Sequence, residues 1–339
     1  MIEQNLEFHN VDHLEERLGG KMLQRFPEKV RYGLGYQDHD RGRMYSQMSV
    51  GCEIRFVTDA HFFRISLAAY EADNRVFVYR GNFLQRVLEL PAGKICTFHI
   101  EEPAGFADLQ RQVLEGHRFS SDVWRFVMDK ESAVLFYGAD FVGHSVRVPE
   151  KNEVPSLKWM AYGSSITFGG DAHLAVNAYA MRTARKLNAD LYNKSIAGSC
   201  FCDESVAVYL SELAGQMHLV TLELGINMLR RFPEDLFKER SYRLIQRIRQ
   251  AAPKTKVVVI TPFTAAAAYQ KEEQTSSQRY YAFTEILKQY PDPEVSVLDG
   301  REILPDFSGL SADLIHPSDE GHEMMAANLY DQLRKIINQ

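Results

Sequence analysis

Five residues spread between positions 165 and 316 have the types that acyl transfer needs: Ser165, Gly198, Asn227, Asp313 and His316. A serine hydroxyl is a poor nucleophile until a base takes its proton, and imidazole titrates in the right range to do so. His316 is the candidate base. Asp313 lies three residues earlier, where its carboxylate can hold the imidazole Nδ1–H, fix the tautomer and stabilise the imidazolium formed on attack. The oxyanion of a tetrahedral intermediate needs preorganised donors. The backbone N–H groups of Ser165 and Gly198 and the side-chain amide of Asn227 are the candidates. This chemistry calls for no metal and no organic cofactor.

These residues lie far apart in sequence, so the fold must bring them together. After Pro155 the chain alternates between strand-like and helical patterns. Strands are expected at Leu157–Tyr162, Asp190–Ser195, Leu219–Leu224, Lys256–Thr261 and Val295–Leu298. Helices are expected at Leu174–Leu187, Asp203–Gln216, Pro233–Ala251, Ser276–Gln289 and Ser318–Ile337, with Asp203 and Ser318 as N-caps. Such alternation predicts an α/β domain, a flavodoxin-like three-layer arrangement around a parallel sheet. The loops after the first, second, third and fifth strands then open at one carboxyl edge, and those loops carry the five residues. Gly163 is expected where the turn leaves little room for a Cβ.

The first half has a different texture. Short runs rich in β-branched and aromatic residues recur at Gly51–Thr58, Phe62–Ala69, Arg75–Arg80, Phe83–Leu90, Lys94–Ile100, Val123–Met128, Ala133–Tyr137 and Val142–Val148. That rhythm predicts an all-β jelly-roll sandwich. In the first run Cys52, Ile54 and Phe56 share one face, and Glu53, Arg55 and Val57 the other. Residues 7–25 read as a short strand and a helix. The polar stretch Glu150–Ser156 reads as a linker, which divides the chain into residues 1–152 and 153–339. Trp124 is a candidate sugar-contacting aromatic of the first domain.

Bulk properties exclude several classes. The 339 residues are 45% hydrophobic and 25% charged, with a net charge of −6, which argues against a nucleic-acid surface. No apolar run is long enough for a transmembrane helix, so no membrane partner is expected. The start of the chain has no basic and apolar leader pattern, and the four cysteines are few and scattered. A cytoplasmic, reduced protein is the expectation; homo-oligomerisation is left open. Cys200 and Cys202 lack the ligand count of a metal site. Gly163–Gly170 lacks the ending of a phosphate-binding loop. His322 reads as packing on the last helix.

Gly163-Ser164-Ser165-Ile166-Thr167, Gly198, Gly225-Ile226-Asn227 and Asp313-Leu314-Ile315-His316 resemble, in order, the four blocks of the SGNH (GDSL-type) hydrolases. With a β-rich domain ahead of it, the chain is similar to the two-domain carbohydrate esterases of that superfamily, the acetyl-xylan esterase and deacetylase group. The resemblance implies Ser165 as nucleophile, Ser165, Gly198 and Asn227 as oxyanion donors, and Asp313 and His316 completing the triad. It departs at Ser164, where the family has Asp, and at Met228, where Asp is common. The implied activity is hydrolysis of short acyl esters, acetyl foremost, on a small-molecule or oligosaccharide substrate. Two alternatives stay open: a lipid or thioester hydrolase or acyltransferase of the same superfamily, and an inactive carbohydrate-binding protein on a hydrolase scaffold.

Overall fold

The structure, a computed structural model, describes residues 1–106, 108–270 and 275–338. It divides into two compact units, Met1–Pro27 with Gln47–Ser156 and Glu28–Ser46 with Leu157–Gln339. The division expected at 152/153 left residues 28–46 with the β-rich half. Their contacts place them in the second unit: Ser205 Oγ donates to the carbonyl of Val30, and Tyr36 stacks on Phe232 at 4.2 Å.

The first unit is an antiparallel β-sandwich. One sheet runs in the order Ile2–Glu3, Leu6–His9, Glu53–Thr58, Val123–Met128, Asn74–Arg80, Phe83–Leu90, with Val146–Arg147 also pairing to Glu53–Thr58. The other runs His13–Arg17, Gly20–Gln24, Val134–Asp140, Phe62–Ala69, Cys96–Glu101. Between them Phe8, Ile54, Phe56, Phe63, Ile65, Val78, Trp124, Phe126 and Phe136 form one buried cluster. Two expectations are corrected here. Residues 7–25 hold three strands and no helix, because Leu18 (φ 51°) and Gly19 (φ 74°) turn His13–Arg17 back onto Gly20–Gln24. Positive φ at both loop residues is the tight-hairpin geometry that suits strand twist. Trp124 is 1% exposed, with Arg80 over its ring, so it has no face to offer a sugar.

The alternation of Glu53–Thr58 is also informative. Cys52, Ile54 and Phe56 point into the core, yet Glu53 and Arg55 on the opposite face are buried too. The Glu53 carboxylate accepts from Arg125 at 2.7 and 2.8 Å and from Arg55 at 2.8 Å. Burial alone would raise its pKa; Arg125 and then Arg55 outweigh that and hold it well below the usual carboxylate range.

The second unit holds a five-stranded, wholly parallel sheet in the order Ala189–Asn193, Leu157–Tyr162, Leu219–Glu223, Lys256–Ile260, Val295–Leu298. Its longer helices are Tyr179–Lys186, Glu204–Ala214, Glu234–Ala251, Thr275–Lys288 and Asp319–Ile337. Ser318 caps the last of these, accepting from the Gly321 N–H at 3.2 Å. Asp203 occupies the cap position of Glu204–Ala214 without a side-chain capping bond; its carboxylate is taken by Arg240 at 3.1 Å. The strand order reverses beside Leu157–Tyr162, and such a switch point leaves a crevice at the carboxyl edge. Among the described residues, no helix is long and apolar enough to cross a membrane.

Each unit contains one of the two tryptophans, Trp124 and Trp159, so each has its own fluorescent reporter. In a Trp159→Phe background, Glu53→Ala is expected to destabilise the first unit by about 3–5 kcal/mol, since it strands two buried guanidinium groups. Urea unfolding followed through Trp124 checks this; a loss below about 1 kcal/mol would match a solvent-screened pair instead.

Candidate active site

Ser165 follows the strand Leu157–Tyr162 at the first position of a short helix, Ser165–Phe168. Ser164 caps that helix, its Oγ accepting from the Ile166 N–H at 3.1 Å. This is the local task of the serine that stands where the family pattern has Asp. The buried Ser164 N–H donates to Glu223 Oε2 at 2.5 Å. Glu223 ends the neighbouring strand Leu219–Glu223 and also accepts from Thr167 Oγ1 at 3.1 Å. A Cβ on Gly163 would meet Glu223 Oε2 at 2.6 Å and collide with Thr167 Oγ1, so the crowding expected at this glycine is there.

Ser165 Oγ lies 2.6 Å from His316 Nε2, and His316 Nδ1 lies 2.5 Å from Asp313 Oδ2. Asp313 is 41% exposed at its side chain, yet its other oxygen accepts from the backbone N–H groups of Ile315 and His316 at 2.8 and 2.9 Å. Partial burial pushes this carboxyl up; the His316 N–H, the His316 ring and the Ile315 N–H more than reverse it, to about 2. An ionised carboxylate only accepts. The imidazole proton is therefore assigned to Nδ1, which leaves the Nε2 lone pair facing the Ser165 hydroxyl.

Gly198 follows the strand Ala189–Asn193, with φ +66° and open space where a Cβ would stand. The left-handed turn, not crowding, calls for glycine. Asn227 Oδ1 accepts from the Cys200 N–H at 3.0 Å, which orients the amide and leaves its Nδ2 as donor. The Ser165 and Gly198 N–H groups have no protein acceptor among the described residues. All five residues predicted from sequence line one cleft of about 590 Å³ within the second unit.

Three residues of this neighbourhood have no assigned role in the sequence reading. His39 Nε2 bonds the Gly198 carbonyl at 3.0 Å, and Arg41 lines the same cleft. Glu223 is the third: burial raises its carboxyl to about 7 against the pull of Ser164 and Thr167, and its Oε1 has no partner among the described residues. His322, expected as packing, is fully buried; its Nδ1 accepts from the Tyr179 N–H at 3.1 Å and its Nε2 bonds the Gly170 carbonyl at 3.0 Å. Cys200 and Cys202 are buried thiols, and Cys200 Sγ donates to the Glu223 carbonyl at 3.4 Å. The one described group with metal-holding spacing is Asp171, Asp313 and His316. A cation there would take the same carboxylate and imidazole that face Ser165.

Residues 161–324 match the family model of the GDSL-like Lipase/Acylhydrolase family. The match spans most of the second unit. Searched against curated proteins, the sequence matches none. Among solved structures, the chain is similar to the salicylyl-acyltransferase SsfX3 from a tetracycline biosynthetic pathway, with a TM-score of 0.80 at 17% identity, covering 98% of this chain and 95% of that one. It is similar to a family two carbohydrate esterase from Clostridium thermocellum in complex with cellohexaose, with a TM-score of 0.61 at 17% identity over 86% and 94% of the two chains. The acetyl xylan esterase Est2A from Butyrivibrio proteoclasticus gives a TM-score of 0.58 at 14% identity over 99% and 97%. At these identities the likeness shows the fold, an α/β unit around a parallel sheet together with a β-sandwich.

Two outcomes are expected of the second unit. A Cβ on Gly170 would stand 2.7 Å from His316 Cδ2, so Gly170→Ala is expected to displace the imidazole and lower kcat by about 10²-fold with the fold kept; circular dichroism beside steady-state kinetics separates the two. Glu223 binds its proton more tightly folded than unfolded. Its stabilising effect is thus complete below the ordinary value of 4.5 and is lost as pH rises through about 7. Glu223→Gln is expected to flatten that fall, which is on the order of 3 kcal/mol. Parallel pH dependences of Tm in wild type and variant would refute it.

Proposed function

We propose that the protein is a serine esterase that removes short acyl groups, acetyl foremost, from sugars or oligosaccharides through an acyl-enzyme. The carrying observation is the continuous contact from Ser165 Oγ through the imidazole to Asp313, at 2.6 and 2.5 Å. In this reading Ser165 Oγ bonds to the ester carbonyl carbon while its proton passes to His316 Nε2. The Ser165 and Gly198 N–H groups and Asn227 Nδ2 take the oxyanion charge. The C–O bond to the alcohol then breaks, the imidazolium protonates the leaving oxygen, and water repeats the sequence to release the acid and restore Ser165. The solved carbohydrate esterases of the same fold support the substrate class. No step requires a cofactor. The expected place of action is the cytoplasm, on small esterified sugars.

A second reading replaces water by an alcohol acceptor, which makes the protein an acyltransferase. The similarity to a salicylyl-acyltransferase favours it. Acetate release from a panel of acetylated mono- and oligosaccharides, with and without added alcohol acceptor, separates the two. Ser165→Ala is expected to abolish release, and Asp313→Asn to lower kcat by about 10⁴-fold through the wrong imidazole tautomer. Release that survives Ser165→Ala would defeat both readings, and a preference for long-chain over short-chain nitrophenyl esters would defeat the deacetylase one.

A further inference from the structure

The catalytic cleft is basic in a protein of net charge −6. Arg41, Arg230 and Arg231 line it together with Ser165 and His316. The only described carboxylate in the lining is Asp313, already committed to His316. None of the three guanidinium groups has a carboxylate partner among the described residues. Elsewhere in the same unit cations are matched: Arg240 with Asp203, Arg243 and Arg247 with Glu204, Arg182 with Glu323, Arg249 with Asp292. Three like charges around one cavity repel each other, and a bound anion relieves that repulsion. Planar guanidinium groups are suited to carboxylate and phosphate oxygens, with which they form paired, charge-assisted hydrogen bonds.

We infer that the cleft takes an ester whose alcohol half bears an anionic group, a carboxylate or a phosphate, held by Arg41, Arg230 and Arg231. This deepens the esterase reading and rests on it for the placement: a small acyl group sits at the oxyanion donors, so the charge belongs to the leaving half. Arg41 comes from the segment 28–46 and the other two from the loop after Asn227, so the anion bridges two parts of the acylhydrolase unit. The field of the cleft also draws such substrates in, an effect that weakens with salt.

The test compares acetylated methyl glucoside, acetylated glucuronate and acetylated glucose phosphate as substrates, and measures their binding to Ser165→Ala by calorimetry. The expected result is an anionic-to-neutral kcat/KM ratio of about 10–100, falling with salt. That ratio drops about tenfold or more in Arg41→Ala and Arg230→Ala–Arg231→Ala, and stays at the wild-type value in Arg334→Ala, an exposed arginine on the last helix. The glucuronate and phosphate arms show which anion is preferred. A ratio near one in both turnover and binding, or one unmoved by the cleft-arginine variants, overturns the inference. Anion-selective binding to Ser165→Ala without turnover of any ester by the wild type upholds the basic subsite and defeats the esterase reading.

Discussion

The position of Ser165, the proposed nucleophile, depends on a carboxyl group buried beneath its turn. Glu223 Oε2 takes the Ser164 N–H and the Thr167 hydroxyl, so one side chain from Leu219–Glu223 fixes both sides of the turn that ends Leu157–Tyr162. The two strands are neighbours in the sheet, and their pairing places the acid where the next turn needs an acceptor. From Thr167 the contacts continue to the Tyr179 hydroxyl at 2.7 Å. The Tyr179 N–H meets His322, and His322 meets the carbonyl of Gly170, the residue packed against the His316 imidazole. Ser165 and His316 are thus held to one another from behind, by Glu223, Thr167, Tyr179 and His322. Such outer support is what keeps reacting groups within the narrow tolerance that proximity effects require.

The loops that carry Gly198 and Asn227, the proposed oxyanion donors, are joined in the same manner. Cys200 donates its N–H to Asn227 and its thiol to the Glu223 carbonyl, while His39 holds the Gly198 carbonyl. Burial, then the neighbouring Cys202, pushes the Cys200 thiol well above its usual range, so it remains a proton donor rather than a thiolate. A carbonyl partner and a low-dielectric setting make that weak donor useful.

Much of this was legible in the sequence, for a physical reason. Parallel strands buried on both faces read as continuous apolar runs, and Leu157–Tyr162 and Val295–Leu298 are found with the expected bounds. Small residues and chemistry-bearing types then mark the loops at the strand ends. What was not legible lay outside such patterns. Residues 28–46 form two short helices without a long apolar period, and their membership in the second unit depends on contacts distant in sequence, such as Tyr36 with Phe232. Residues 13–24 carry charges that suit a helix, but the Leu18-Gly19 turn and pairing across it override that preference. The alternation at Glu53–Thr58 sorted side chains by face yet said nothing of burial, because Glu53 and Arg55 satisfy one another within the protein. Glu223 did leave a signal: an acid closing the apolar run Leu-Val-Thr-Leu is costly to bury unless something pairs with it.

The spacing of Asp313 and His316 has its own local cause. Between them Leu314 adopts φ +59°, a left-handed conformation that costs a branched side chain roughly 1–2 kcal/mol. That reversal brings the N–H groups of Ile315 and His316 back onto Asp313 Oδ1, while Oδ2 is left to face the ring of His316. The loop is pinned from outside as well, since the Leu314 carbonyl accepts from the Ala266 N–H at 2.7 Å and the His316 carbonyl from the Ser311 N–H at 2.8 Å. A turn of this length lets one side chain cap its own backbone and face the His316 ring at once, so Asp313 holds that ring while itself partly exposed to water. The strain at Leu314 is what that economy of residues costs, and strain of this kind persists only where surrounding bonds overdetermine the conformation.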